Sequence, residues 1–507
     1  MPLYVTSMTS VSRHGVFPVE RVPPTSITAT GTDIACAVGQ FPWGPASTTI
    51  YQSTSVADFR NTFAPPGFTR TGSAYLMTLA AGFPRLFGMR VIGSTAVKAS
   101  AALQNAVPTT ICTVELKYAG TEGNSVTCTV AAADDGDANH FNLTVTRTSS
   151  SGTTSDVLKN LNFSGVGTDS TVGAGASNSH DITNALLVGA ITKNASGRPS
   201  NASTTCSSGT NGTVNAATYT GTSGSGDSGL ARLETNLNIR HVFCDDAGNS
   251  IRATVNAGVK THVEYMGDRV GYIAGNSGLS ASSAQADVAN YRSTNVVYVD
   301  PWVYVYDDTD GTKRLIPGNG FAASLAANLS PSTSIAWKDD SVRRLLGGIV
   351  ELESDRGDAA GTNTQLGIST LIPFRSGGFC FEAGKVTTLT SGKTNLTRTL
   401  MGVYIGASLA TSLQSNVDAP NVTLNQQDIM NACDDFLGGL KANQGVNPNF
   451  APYIKDYTIT PVATANSTSS IDAGNFIVEM NVKTGSSMER IFPSIQYGET
   501  VRINNGV

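Results

Sequence analysis

Apolar positions along this chain follow two rhythms, and each predicts its own elements. Asp33-Ile-Ala-Cys-Ala-Val38 is an unbroken apolar run closed by Gly39 and the turn Pro42-Trp43-Gly44-Pro45, which predicts a buried strand. Ser55 stands as N-cap to a short helix through Ala57, Phe59 and Phe63. A second helix is expected over Ser73 to Phe83, with Leu76, Leu79 and Ala80 at helical spacing, followed by a strand from Gly88 to Ile92. Strand-like segments then dominate at Thr110–Leu116, Asn124–Val130 and Phe141–Arg147. From Asp169 to Asp227 the periodicity fades, and long surface loops are expected. Helices and strands then alternate: Ser250–Met266, Arg269–Ala274, Ser282–Tyr291, Thr294–Tyr306, Val342–Glu353 and Gly377–Glu382. Gln426 to Leu440 is an amphipathic helix with Ile429, Met430, Cys433, Phe436, Leu437 and Leu440 on one side. Two strands, Tyr457–Thr464 and Asn475–Lys483, make a hairpin through Ser469 to Gly474.

This succession predicts an α/β (α+β) multidomain fold: a sheet-and-helix core, an inserted β-rich domain, and extended N- and C-terminal arms. The expected units are an N-terminal arm (1–24), a first α/β core segment (25–106), the insert (107–235), a second α/β core segment (236–420), a helix-hairpin unit (421–485) and a C-terminal arm (486–507). In the first arm, prolines at 2, 18, 23 and 24 oppose a helix, while Tyr4, Val5, Val16, Phe17 and Val19 suit an added strand. In the second, Ile491, Ile495, Tyr497, Val501 and Ile503 fall at intervals of two or four, as an extended strand places them.

Composition narrows the function. Charged residues make up 14% of the 507, Gly numbers 52 and the net charge is -5. A folded, turn-rich protein with much neutral surface follows, and nucleic acid is not an expected partner, since phosphate binding needs a concentrated basic face. Weak net charge suits packing against copies of itself. Met1 to Pro24 lacks the pattern of a secretory signal and no run of 18 apolar residues occurs, so residence in the producer's cytoplasm and no membrane insertion are expected. Asn-x-Ser/Thr sites such as Asn142, Asn194 and Asn201 then reflect composition. The seven cysteines form no C-x-x-C pair, so most read as small buried residues and zinc is not expected. Cys206, in the featureless stretch, is the candidate for an exposed thiol and an inter-subunit disulfide.

The catalytic motifs fail one by one. Gly226-Asp-Ser-Gly229 resembles a protease nucleophile loop but continues Leu230-Ala231, with no matching histidine segment. Gly392-Lys393-Thr394 has Thr387 where a phosphate loop needs glycine. Gly318-Asn-Gly320-Phe-Ala-Ala323 reads as a turn entering a helix, without a dinucleotide unit around it. Asp307 to Gly311 reads as a polar turn and lacks the later ligands of a calcium loop. Histidines 14, 140, 180, 241 and 262 show no metal spacing, and Asp339-Asp340 and Asp434-Asp435 read as solvated faces. No enzyme activity, cofactor or metal is expected.

Taken in order, the segments resemble the tail sheath family of contractile phages, related to pyocin and type VI secretion sheaths. The resemblance rests on Val38-Gly-Gln-Phe-Pro-Trp-Gly-Pro45, on Ser55-Val-Ala-Asp-Phe59 with Phe63, and on Tyr75 to Val91. It continues through Tyr118-Ala-Gly-Thr-Glu-Gly-Asn124, Asp300-Pro-Trp-Val303, Pro317 to Asn328, Ile335-Ala-Trp337, Gln365 to Ile368 and Ile471 to Gly474. Ala119, Gly320 and Lys338-Asp339 depart from the usual Pro, Ser and Ala-Pro.

The resemblance implies a structural subunit that polymerises as a six-fold helical array around a tail tube and contracts without ATP to drive the tube through a host envelope. The two arms would add strands to neighbouring hairpins, whose accepting residues are Tyr457, Ile459, Phe476, Val478, Met480 and Val482. Partners would be other copies of the chain, the tube protein, and baseplate and tail terminator proteins, with the insert outward. Asp428, Asp434, Asp435 and Lys441 are candidate tube contacts; an ordinary solvated helix face is the other reading. Rival functions are another self-assembling virion protein, such as a capsid or decoration protein, a carbohydrate-binding adhesin, or a hydrolase.

Overall fold

The structure, a computed structural model, describes residues 26–46, 48–68, 76–78, 81–163, 171–172, 182–222, 228–236, 238–307, 311–336, 346–374, 377–417, 421–442, 454–462 and 466–485. Three strands come first, β1 (Ile34–Gly39), β2 (Tyr51–Ser53) and β3 (Arg85–Arg90), with helix α1 (Val56–Phe63) before β3. An inserted unit follows: β4 (Lys98–Gln104), β5 (Thr110–Ala119), β6 (Thr127–Ala132), β7 (His140–Ser149), β8 (Gly152–Asn162), β9 (Thr171–Val172), β10 (Val188–Lys193) and β11 (Ser203–Thr205). The core resumes with β12 (His241–Cys244), α2 (Arg252–Met266), β13 (Val270–Ala274), β14 (Val296–Asp300), β15 (Val303–Tyr306), β16 (Lys313–Ile316), α3 (Asn319–Asn328), β17 (Ile349–Leu352), β18 (Ile368–Pro373) and β19 (Phe379–Phe381). The last unit holds α4 (Leu396–Leu413), α5 (Thr423–Ala442), β20 (Ile454–Pro461) and β21 (Val478–Thr484). The α/β multidomain class expected from the sequence is the one found.

The central sheet runs β19-β18-β14-β13-β12-β1-β3-β2. Its six inner strands pair parallel and its two edge strands antiparallel. Parallel strands are covered on both faces, which is why β1 reads as a continuous apolar run and is buried throughout. One face packs on α1, α3 and the start of α4 through Phe59, Phe63, Phe321, Leu396 and Leu400. The other packs on α2 and residues 216–222 and 228–235 through Val255, Val259, Val263, Tyr219, Leu230 and Leu233. Ser55 caps α1 by accepting the amide of Asp58 at 3.1 Å, and Gly267 closes α2 in the left-handed region. Of the helix expected over Ser73–Phe83, residues 76–78 are helical; 73–75, 79 and 80 lie outside the described residues. The single strand region expected over Thr294–Tyr306 is two strands in different sheets, β14 in the central one and β15 in the three-stranded sheet β16-β15-β17.

The inserted unit is a sandwich of two antiparallel sheets, β4-β5-β10-β9 and β11-β6-β7-β8, around a shared core. Its strands alternate: in β7, Phe141, Leu143 and Val145 are buried and their neighbours are not. Its first strand is β4, which starts at Lys98, whereas the expected insert starts at 107. At the other end, Ala216, Tyr219, Leu230 and Leu233 pack on the central sheet. The long surface loops expected from Asp169 to Asp227 are corrected in part, because β10 pairs with β5 there and Ile182, Leu187, Ile191 and Tyr219 are buried. Too few of these positions recur at one period for the sequence pattern to reveal them.

One side chain joins core and insert. Arg90, 1% exposed, donates to the carbonyls of Phe41 (2.8 Å), Pro42 (3.3 Å), Gly44 (3.1 Å) and Ala119 (2.7 Å). Burial pushes its guanidinium down to about 10. Trp43, held in the same loop, sits in the sandwich core and donates from its indole to Leu186 at 3.2 Å. Gly44 has φ +103, and a Cβ there would meet the Phe63 ring at 2.6 Å, so the turn needs glycine.

Candidate assembly interface

The helix-hairpin unit starts from α4, whose Asn395 cap accepts the amide of Thr397 at 3.0 Å. The sequence pattern did not single this helix out, since apolar residues surround most of it. Met401 and Ile405 of α4 meet Leu437 and Leu440 of α5 and Ile454 of β20 in a small separate core. The hairpin β20–β21 lies on this pair of helices. Tyr457, Ile459, Met480 and Val482 are half-buried against them, while Lys455, Asp456, Thr458, Thr460, Glu479, Asn481 and Lys483 face solvent. This is the period-two pattern of a sheet covered on one face.

The register runs from Ile454 opposite Thr484 to Pro461 opposite Val478. The expected turn through Ser469–Gly474 is instead a short helix, Thr468–Asp472, capped by Ser467. Val478 opens β21, and Phe476 precedes it, half-buried. Only β20 and β21 belong to this sheet among the described residues, so its two long edges carry no third strand there. Unpaired edges of this kind are templates for strand addition.

Polar contacts fix the hairpin on α5. The Tyr457 hydroxyl donates to Asp434 at 2.9 Å, and Lys441 Nζ meets Asp456 at 2.7 Å. That ammonium holds the Asp456 carboxyl below its usual range. Of the four polar residues singled out on this helix, Asp434 and Lys441 are thus tied to the hairpin; Asp435 is exposed and Asp428 is half-buried. The first described residues also reach this unit. Thr28 and Thr30 donate their amides to Ser412 and Ser408 of α4 at 2.9 and 3.1 Å. The described chain therefore starts along α4 and finishes just after β21, on one helix-hairpin unit. Ser408 and Ser412 escaped the sequence reading, whose only available signal was the Asn395 cap before a long apolar segment. The arm residues Tyr4, Val5, Val16, Phe17, Val19, Ile491, Ile495, Tyr497, Val501 and Ile503 lie outside the described residues.

Cys206 requires a correction. It is 2% exposed, in the sandwich core, because the segment around it pairs with β6. An exposed thiol reaching another subunit is not what the structure presents there. All seven cysteines are buried thiols. Among the described residues no group of three or more His, Cys, Asp or Glu is placed to hold a metal, and no helix is long and apolar enough to cross a membrane. His241 is a core residue: its ring nitrogens meet the Tyr272 hydroxyl at 2.9 Å and the Thr32 carbonyl at 2.8 Å.

No known family matches this chain by sequence profile, and no curated protein matches it by sequence. Its fold is nevertheless that of contractile tail sheath proteins. A sheath tail protein from Listeria innocua superposes with a TM-score of 0.58 at 16% identity, over 90% of this chain and 96% of its own. One from Desulfitobacterium hafniense gives 0.60 at 13% identity, over 93% and 100%. The helical sheath of the anti-feeding prophage in its contracted state gives 0.55 at 13%, over 97% and 99%.

Proposed function

We propose that this chain is the repeating subunit of a contractile tail sheath, most simply that of a phage. The observation that carries the reading is the two-stranded sheet β20–β21, with both edges lacking a third strand among the described residues, on the unit where the chain's described ends meet. Arms 1–24 and 486–507, through the apolar positions named above, add strands to such sheets on neighbouring copies. Each strand contributes several backbone hydrogen bonds of about 0.5–1.5 kcal/mol net. The copies form a six-fold helical array around a tube protein, between baseplate and terminator proteins, after assembly in the host cytoplasm. The insert faces outward, and the exposed side of α5, with Asp435 and Lys441, meets the tube. Contraction is a rigid-body rearrangement of the cores within the linked mesh, driven by better packing and without ATP.

The test is negative-stain electron microscopy of the purified chain beside one lacking residues 1–20. Hollow striated tubes from the full chain and none from the truncation support the reading. Closed shells or monomers from both overturn it in favour of a capsid or decoration protein. Tubes from both keep the sheath and remove the N-terminal arm from its linkage.

A further inference from the structure

Two thiols in the sandwich stand close enough to react. Cys128 Sγ and Cys206 Sγ are 3.8 Å apart, and both side chains are buried. Cys128 lies in β6, opposite Thr204 of β11; Cys206 follows β11, and its amide donates to the Val126 carbonyl at 2.8 Å. The pairing makes them diagonal neighbours on one face of the sheet. A disulfide needs the sulfurs about 2 Å apart, so closure asks for a movement of under about 2 Å. β11 can supply it: it lies at the edge of its sheet, and its ladder with β6 spans three residues, extended by the bonds from Val130 to Ala202 and from Cys206 to Val126. Such short edges open locally at far lower cost than the fold as a whole. A third thiol, Cys112, lies in the same core but on the opposing sheet.

We propose that Cys128 and Cys206 are a redox pair that closes to an intrachain disulfide when the chain meets a small-molecule disulfide oxidant such as oxidised glutathione. In the first step one of the two thiols loses its proton and attacks one sulfur of the oxidant. A mixed disulfide forms and one glutathione thiolate leaves. The other thiol then loses its proton and attacks the protein sulfur of the mixed disulfide, forming the protein disulfide and releasing the second glutathione. Two protein thiols are oxidised and one small disulfide is reduced to two thiols. The two thiols share a contact in which either sulfur can donate, so either can make the first attack. The bond would tether the strand that returns the chain from the insert toward the core. It is independent of the assembly reading.

The experiment incubates the full native chain with oxidised glutathione, quenches with acid, and combines thiol titration under denaturing conditions with non-reducing peptide mapping. The expected result is two thiols fewer than the seven of the sequence, one peptide pair joining Cys128 to Cys206, and a monomer on non-reducing electrophoresis. Cys206→Ser loses the cross-link; if that variant does not fold, the map of the unaltered chain decides alone. Seven thiols remaining after amide exchange shows that β11 has opened during the incubation, a bond to Cys112, or a bond between chains overturns the proposal.

Discussion

The central sheet and the helix-hairpin unit are built from the same kinds of residue to opposite ends. In the sheet, β1, β12, β13 and β14 are buried along their whole lengths, with helices on both faces. In β20 and β21, side chains alternate between half-buried and exposed, and one face is covered. The six inner strands of the sheet are paired on both sides, while each strand of the hairpin has one edge without a partner strand among the described residues. The difference separates a sheet enclosed by its own helices from a small sheet covered on one face.

The comparison breaks most visibly where the sheet holds a charge. Arg356 meets Asp300 at the end of β14 through two bonds of 2.6 and 2.7 Å, with both side chains under a tenth exposed. Asp300→Ala strands a buried guanidinium and is expected to cost about 3–5 kcal/mol in chemical denaturation. In the smaller core under the hairpin, Leu437→Ala removes a fully buried side chain. It should cost about 2–5 kcal/mol and, if that core unfolds separately, produce an earlier transition than Asp300→Ala does.

Acid sharpens the contrast further, because the buried titratable groups cluster around the sheet. Burial lowers His241 to about 4 and His262 to about 3, and raises Asp245 to about 6. The unfolded chain binds a proton at each histidine below the ordinary value of about 6.5, and the folded one does not, so stability falls as pH drops toward 4. Asp245 acts the other way, since the folded state keeps its proton up to about pH 6. Between about pH 4 and 6 one histidine offsets it, leaving a slope of about 1.4 kcal/mol per pH unit. In urea titrations across this range, His262→Gln should flatten the slope and Asp245→Asn should steepen it.

The smallest effect concerns the hairpin's own ion pair. Lys441→Ala should leave the denaturation midpoint unmoved, because Lys441 and Asp456 are exposed. If the purified variant forms fewer tubes, the residue acts between copies of the chain; if tubes form normally, binding of the tail tube protein inside them decides whether it is a tube contact.

Much of the core was legible because its signals are local. Ser55 and Gly267 mark helix ends that occur, and the run from Ile34 to Val38 marks a buried strand that occurs. The hairpin was legible from two alternating segments, though its connection was read as a turn where Ser467 caps a short helix. The rest was hidden for physical reasons. β11 is short and polar and β10 lacks a clear alternation, and both are strands because β5 and β6 pair with their backbones. α4 is apolar around most of its circumference, so no periodic face shows in its sequence. The burial of Cys206 follows from a pairing between segments far apart in the chain, which no local pattern encodes.

The Arg90 clamp carries a lesson about sequence drift. All four of its acceptors are main-chain carbonyls, so the joint between core and sandwich recognises the path of the peptide and ignores most of what hangs from it. Substitution can wander through the surrounding loops, provided the arginine, the tight glycine turn and the Trp43 ring beside it persist. Such a joint lets two lineages lose nearly all visible kinship while their domains stay bolted at the same angle.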